Sequence, residues 1–212
     1  MTNPNVKIDR YLQIALWLGY FTIFYNLLEG LVSVFFGASG EALTLFGFGV
    51  DSFIEVISGI GIVVMVMRIR RNPDTAHSAF ESTALRVTGV SFSLLSAGLV
   101  GTAIYNIATN HRPETSLPGV IISLISISTM TVLVAGKRRI GSALHSEPIL
   151  EDAECSLICV YMSLILLAAS LIFRLTGFGL VDSIGTLGLV YFSFHEGRES
   201  FKKANDMQTG DK

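Results

Sequence analysis

Apolar length decides first what this chain is able to fold into. Stretches at roughly Tyr11–Phe36, Gly40–Met67, Phe80–Thr109, Leu117–Gly136, Pro148–Thr176 and Phe178–Glu199 each reach the roughly 20 residues that cross about 30 Å of hydrocarbon as a helix. With no water in a bilayer core to satisfy a free backbone, a helix that bonds itself is the form such a stretch takes. Composition agrees, since 50% of the 212 residues are hydrophobic and only 15% are charged. The expected fold is an all-α membrane protein, a bundle of six transmembrane helices.

The spans are separated by short breaks at Gly37-Ala38-Ser39-Gly40, Asn72-Pro73-Asp74, Asn110-His111-Arg112-Pro113 and Thr176-Gly177-Phe178-Gly179. Residues 1–10 read as an N-terminal cytoplasmic segment, 11–200 as the transmembrane domain and 201–212 as a short cytoplasmic tail, with no C-terminal soluble domain. The first apolar run is too long for a signal-peptide core and lacks a small-residue cleavage pattern, so it is expected to stay as the first span. Lys and Arg give the orientation. Lys7 and Arg10 precede the first span; Arg68, Arg70 and Arg71 follow the second; Lys137, Arg138 and Arg139 follow the fourth; Arg198, Lys202 and Lys203 follow the sixth. The other side has Arg112 and Arg174. Both termini are therefore expected in the cytoplasm, and the small size leans toward a bacterial inner membrane. A net charge of -2 with scattered basic clusters gives nucleic-acid binding no support.

Against this apolar background two carboxylates stand out. Asp51 and Glu55 lie four apart in the second span, on one helix face and one turn apart, close enough to share a cation. An ionisable group at bilayer depth costs about 2.5–3.5 kcal/mol on insertion scales, so two on one stripe mark a polar path or an ion site. Cys155 and Cys159 repeat that spacing in the fifth span. Buried cysteines also serve as small apolar packing groups, and from the pair alone that reading stands beside a ligand role. If the two faces meet, two carboxylates and two thiolates suit Zn²⁺ or Cd²⁺ better than Mg²⁺ or Ca²⁺, which prefer oxygen shells.

Other polar residues have blander expectations. Glu151 and Asp152 follow Pro148 in the first turn of the fifth span, where acids complement the helix dipole or form a cation-attracting mouth. Glu29 is expected to pair with Asn26 on the next turn or to carry a proton. Asp182 reads as a helix-start residue, and His195, Glu196 and Glu199 as an interfacial, solvated group. His77 and His111 fall in loops with no metal spacing. Ser93, Ala97 and Gly101 form a small-residue stripe, expected to pack within the monomer with a homodimer contact as the other use. Ser123, Ser126, Ser128, Thr129 and Thr131 are expected mainly to bond their own helix rather than line a wet path.

The run Asn26 to Glu55, with Asn-Leu-Leu-Glu-Gly and Gly-Phe-Gly-Val-Asp-Ser-Phe-Ile-Glu, resembles the first two spans of the cation diffusion facilitator superfamily. Glu151 to Cys159 resembles the start of its fifth span and Val181-Asp182-Ser183-Ile184-Gly185 the opening of its sixth. The resemblance implies a six-helix, usually dimeric transporter, not an enzyme, that exports Zn²⁺ or a related ion in exchange for protons. It implies metal ligands at Asp51, Glu55, Cys155 and Cys159, between spans two and five. Where the family has His and Asp in the fifth span this chain has two cysteines, a softer pair, and it most resembles short members without the usual C-terminal domain.

Metal binding to thiolate and carboxylate should expel protons, the natural counter-ion, and no permanently bound cofactor is expected. Two other classes remain at this point. One is a membrane thiol-redox protein using Cys155 and Cys159, which lie one helical turn apart. The other is a metal-binding membrane protein without flux. Both leave Asp51 and Glu55 with less to do.

Overall fold

A computed structural model describes residues 4–39, 42–71, 78–109, 117–177 and 180–209. Its six helices are α1 (Pro4–Ser39), α2 (Leu43–Arg71), α3 (Ser78–Thr109), α4 (Leu117–Leu144), α5 (Glu147–Thr176) and α6 (Leu180–Thr209). Among the described residues there is no strand, and each of the six expected spans corresponds to one helix, although the first residues expected of the second and sixth spans, 40–41 and 178–179, lie outside the described residues. The helices run past the expected ends, because a helix continues through polar residues until something stops it. Gly177 is such a stop: it takes the left-handed conformation at φ 66° and its N–H bonds Phe173 O at 2.8 Å. The breaks expected at Asn72-Pro73-Asp74 and Asn110-His111-Arg112-Pro113, with His77 and His111, lie outside the described residues.

Contacts α1·α2, α2·α5, α5·α4 and α4·α1 close a ring of four helices, and α3 pairs with α6, α3 docking on α2 and α6 on α2 and α5. Among the described residues, the four ring helices are those long and apolar enough to cross a membrane by themselves, while α3 holds a shorter apolar stretch at Gly89–Tyr105. Close crossing of α1 and α2 depends on glycine. A Cβ at Gly37 would meet the backbone of Phe46, and one at Gly49 would lie 2.7 Å from Val34 N.

The distribution of side chains is inverted relative to a water-soluble bundle. Trp17, Phe24, Leu31, Phe35, Val132, Leu164, Leu175 and Tyr191 face outward, whereas Asn26, Asp51, Glu55, Lys137, Asp152 and Asp182 are buried. Lipid tails solvate Leu and Phe as well as a protein core does, so no hydrophobic force draws them inward. Charges and amides gain by turning toward each other instead. The molecule is an all-α, multi-pass membrane protein.

One expectation changes at this level. Ser93, Ala97 and Gly101 do not pack inside the monomer: all three are exposed on α3, and a Cβ at Gly101 would meet nothing within 4 Å. The α4 hydroxyls mainly behave as expected, with Ser123 bonding Val120 O, Ser128 bonding Leu124 O and Thr131 bonding Ile127 O, while Ser126 accepts from Ser163 Oγ of α5 at 2.9 Å.

Candidate metal centre

α1 lays a polar stripe against α2. Thr22, Asn26, Glu29 and Ser33, spaced four, three and four, are all buried. Asn26 Nδ2 donates to Glu55 Oε2 at 2.8 Å. Tyr25 Oη donates to Glu29 Oε1 at 2.7 Å, and Ser52 Oγ to Glu29 Oε2 at 3.1 Å. The expected Glu29–Asn26 pair is therefore replaced by two contacts across the α1–α2 interface. Asn26 finds its partner on α2, whereas Glu29 is shared between Tyr25 of its own helix and Ser52 of α2.

Asp51 and Glu55 are 2% and 3% exposed, on the inward face of α2. Among the described residues, Asp51 Oδ1 and Glu55 Oε1 have no hydrogen-bond partner. Leaving one buried polar atom unsatisfied costs about 1–3 kcal/mol, and more for a charged group. A fold tolerates two such atoms on one face when a ligand is to satisfy them. Across from them on α5, Cys155 is half-buried and Cys159 fully buried, both as free thiols. Each cysteine is within electrostatic reach of Asp51 and Glu55, so the four candidate ligands occupy one region between α2 and α5. They do not converge on a single point: among the described residues no three His, Cys, Asp or Glu side chains are gathered to hold an ion. Reaching metal–ligand lengths of about 2.0–2.3 Å requires the side chains to close in.

One turn along, where the C-terminal part of α2 meets the N-terminal part of α5, sits a buried ion pair. Lys137 Nζ lies 2.7 Å from Asp152 Oδ2, with side chains 2% and 4% exposed. Nζ also donates to Ser156 Oγ at 2.8 Å, and Ser58 Oγ donates to Asp152 Oδ1 at 3.1 Å. Both residues depart from expectation, Lys137 as part of an exposed basic cluster and Asp152 as a helix-start or mouth acid. The signal for Lys137 was present: Ser126, Met130, Leu133, Lys137 and Ile140 follow the buried face of α4. Arg138 and Arg139 beside it are exposed.

At the opposite end Asp182 does cap a helix, though not its own. Its carboxylate accepts from Leu43 N at 2.8 Å and Thr44 N at 3.2 Å, the free amides that open α2. Thr44 Oγ1 returns a bond to Asp182 O at 2.7 Å. Glu196, expected to be solvated, is 9% exposed and within electrostatic reach of Asp51 and Cys155, bringing α6 to the edge of the same region. His195 is exposed and stacks on Tyr191. The side chain of Glu151 lies outside the described residues.

The cation efflux transmembrane domain family matches this sequence over residues 20–207, from the middle of α1 to the end of α6. The chain belongs to the cation efflux family. This cation efflux protein is also 26% identical over 192 residues to "Transmembrane protein 163" of Xenopus laevis, an alignment covering 89% of the present chain and 67% of that relative. Membership makes it a membrane transporter of metal cations and places it in a transport family rather than an enzyme family. A vertebrate relative gives no support to the bacterial inner membrane that size alone suggested.

Proposed function

We propose that this cation efflux protein carries a divalent transition-metal ion, Zn²⁺ first and Cd²⁺ next, across its membrane in exchange for protons. The ion is held between α2 and α5 by Asp51, Glu55, Cys155 and Cys159. The observation that carries this reading is the pair of buried carboxylate oxygens of Asp51 and Glu55 that lack a hydrogen-bond partner among the described residues, within electrostatic reach of two free thiols. An oxygen and thiolate set selects borderline and soft ions over Mg²⁺ and Ca²⁺. Ligands bind in their deprotonated forms, so loading expels protons and protons drive release. All six helices span the bilayer in this reading, with both termini cytoplasmic, and a second copy packs on the exposed stripe of α3.

The test is Zn²⁺ flux into sealed proteoliposomes under an imposed pH gradient, with wild type, Asp51→Asn and Cys159→Ser compared. Gradient-dependent flux abolished in both variants supports the exchanger with one site shared by α2 and α5. Flux lost only in Asp51→Asn returns the cysteines to packing. Binding without flux in any protein refutes transport, and loss of both thiols on mild oxidation that metal does not prevent favours thiol-redox chemistry.

A further inference from the structure

We infer that α1 supplies a ligand to the ion site, the amide oxygen of Asn26, so that the site is built from three helices. The inference rests on the reading of Asp51 and Glu55 as cation ligands. Asn26 is fully buried. Its orientation follows from the charge state of a loaded site: with Glu55 ionised, Oε2 at 2.8 Å only accepts, so the NH₂ group faces it. The oxygen of the same planar amide is then turned away from Oε2, and among the described residues it has no hydrogen-bond partner.

Five buried side-chain polar atoms lack partners among the described residues, and three of them are Asn26 Oδ1, Asp51 Oδ1 and Glu55 Oε1. The first and last belong to one hydrogen-bonded pair, and Asp51 is one turn from Glu55 on the same face of α2. Three acceptor oxygens without donors among the described residues, carried by this pair and by its neighbour one turn along, offer what a cation needs and what a hydrogen-bonded core avoids. A neutral carbonyl oxygen suits this position. It adds a ligand without adding a negative charge to a site that already holds two carboxylates and two thiols. The amide also uses its other end to hold Glu55 in place, as groups around metal sites do for ligating carboxylates.

Asn26→Asp and Asn26→Ala separate ligation from positioning. Both remove the NH₂ donor to Glu55, but only Asp keeps an oxygen where the amide oxygen stood. The measurement is equilibrium binding of Co²⁺ and Zn²⁺ to purified full-length protein in detergent, with the visible absorption of Co²⁺ reporting coordination. Ligation by Asn26 predicts that Asn26→Ala loses at least about tenfold in affinity and shifts the Co²⁺ spectrum toward the stronger bands of lower coordination, while Asn26→Asp keeps affinity and spectrum. Equal loss in both variants overturns the inference in favour of the donor role alone. So does an Asn26→Ala protein that binds like wild type while Asp51→Asn does not. If Asp51→Asn also binds normally, the underlying site falls as well, so the two failures are distinguishable.

Discussion

Replacing Lys137 by methionine keeps most of the side-chain length and removes the charge, so its cost measures what Asp152 loses. In the native fold the Asp152 carboxylate has Lys137 Nζ at 2.7 Å and Ser58 Oγ at 3.1 Å, in a setting where it is 4% exposed. After the substitution only the serine remains. Stranding one partner of a buried pair costs about 3–5 kcal/mol, because desolvation is no longer offset. Removing both charges, with Asp152→Asn added, is expected to recover most of that, since replacing a whole buried pair is often nearly neutral. Arg138–Glu154 is an internal control: its N···O distance is 2.9 Å, but the side chains are 48% and 54% exposed. Arg138→Met should cost no more than about 1 kcal/mol, the range of solvated pairs. Equilibrium unfolding in detergent micelles reads wild type, Lys137→Met, Asp152→Asn, the double variant and Arg138→Met. A cost below about 1 kcal/mol for Lys137→Met, or a double variant as unstable as the sum of its single changes, refutes the assignment of a closed, desolvated pair.

Asp182→Ala should destabilise the protein by about 0.5–2 kcal/mol in the same unfolding measurement, as loss of a helix cap does, and hydrogen exchange should speed up at Leu43 and Thr44 rather than within α6. Unchanged exchange at those amides contradicts the cross-helix cap. For the ion site, thiolate and carboxylate ligands compete with protons, so Zn²⁺ affinity should fall as pH is lowered from about 8 to about 6, by about tenfold per pH unit for each proton displaced. Titration calorimetry in buffers of different ionisation enthalpy counts those protons. Affinity that holds steady on acidification contradicts exchange.

Some of the site was legible because it depends on spacing along one helix. Asp51 and Glu55 share a face wherever the chain forms a helix, and so do Cys155 and Cys159, since positions four apart always do. The stripe Thr22, Asn26, Glu29 and Ser33 was legible by the same rule and would have pointed to α1. What covers each face is a different kind of fact. Asn26 bonding Glu55 joins positions 29 apart, Lys137 bonding Ser156 crosses two helices, and Asp182 caps a helix 138 to 139 residues earlier in the chain.

Sequence by itself determined that this protein is a set of membrane-spanning helices with a carboxylate pair and a thiol pair, because apolar length and the helical repeat are local properties. Tertiary structure alone decided that Lys137 pairs with Asp152, that Ser93, Ala97 and Gly101 turn outward, and that an amide from α1 reaches Glu55 of α2. The physical reason is that lipid solvates apolar surface as well as a core does. Helices therefore meet where polar groups find partners and glycines allow approach, and hydrophobic periodicity carries little record of those choices.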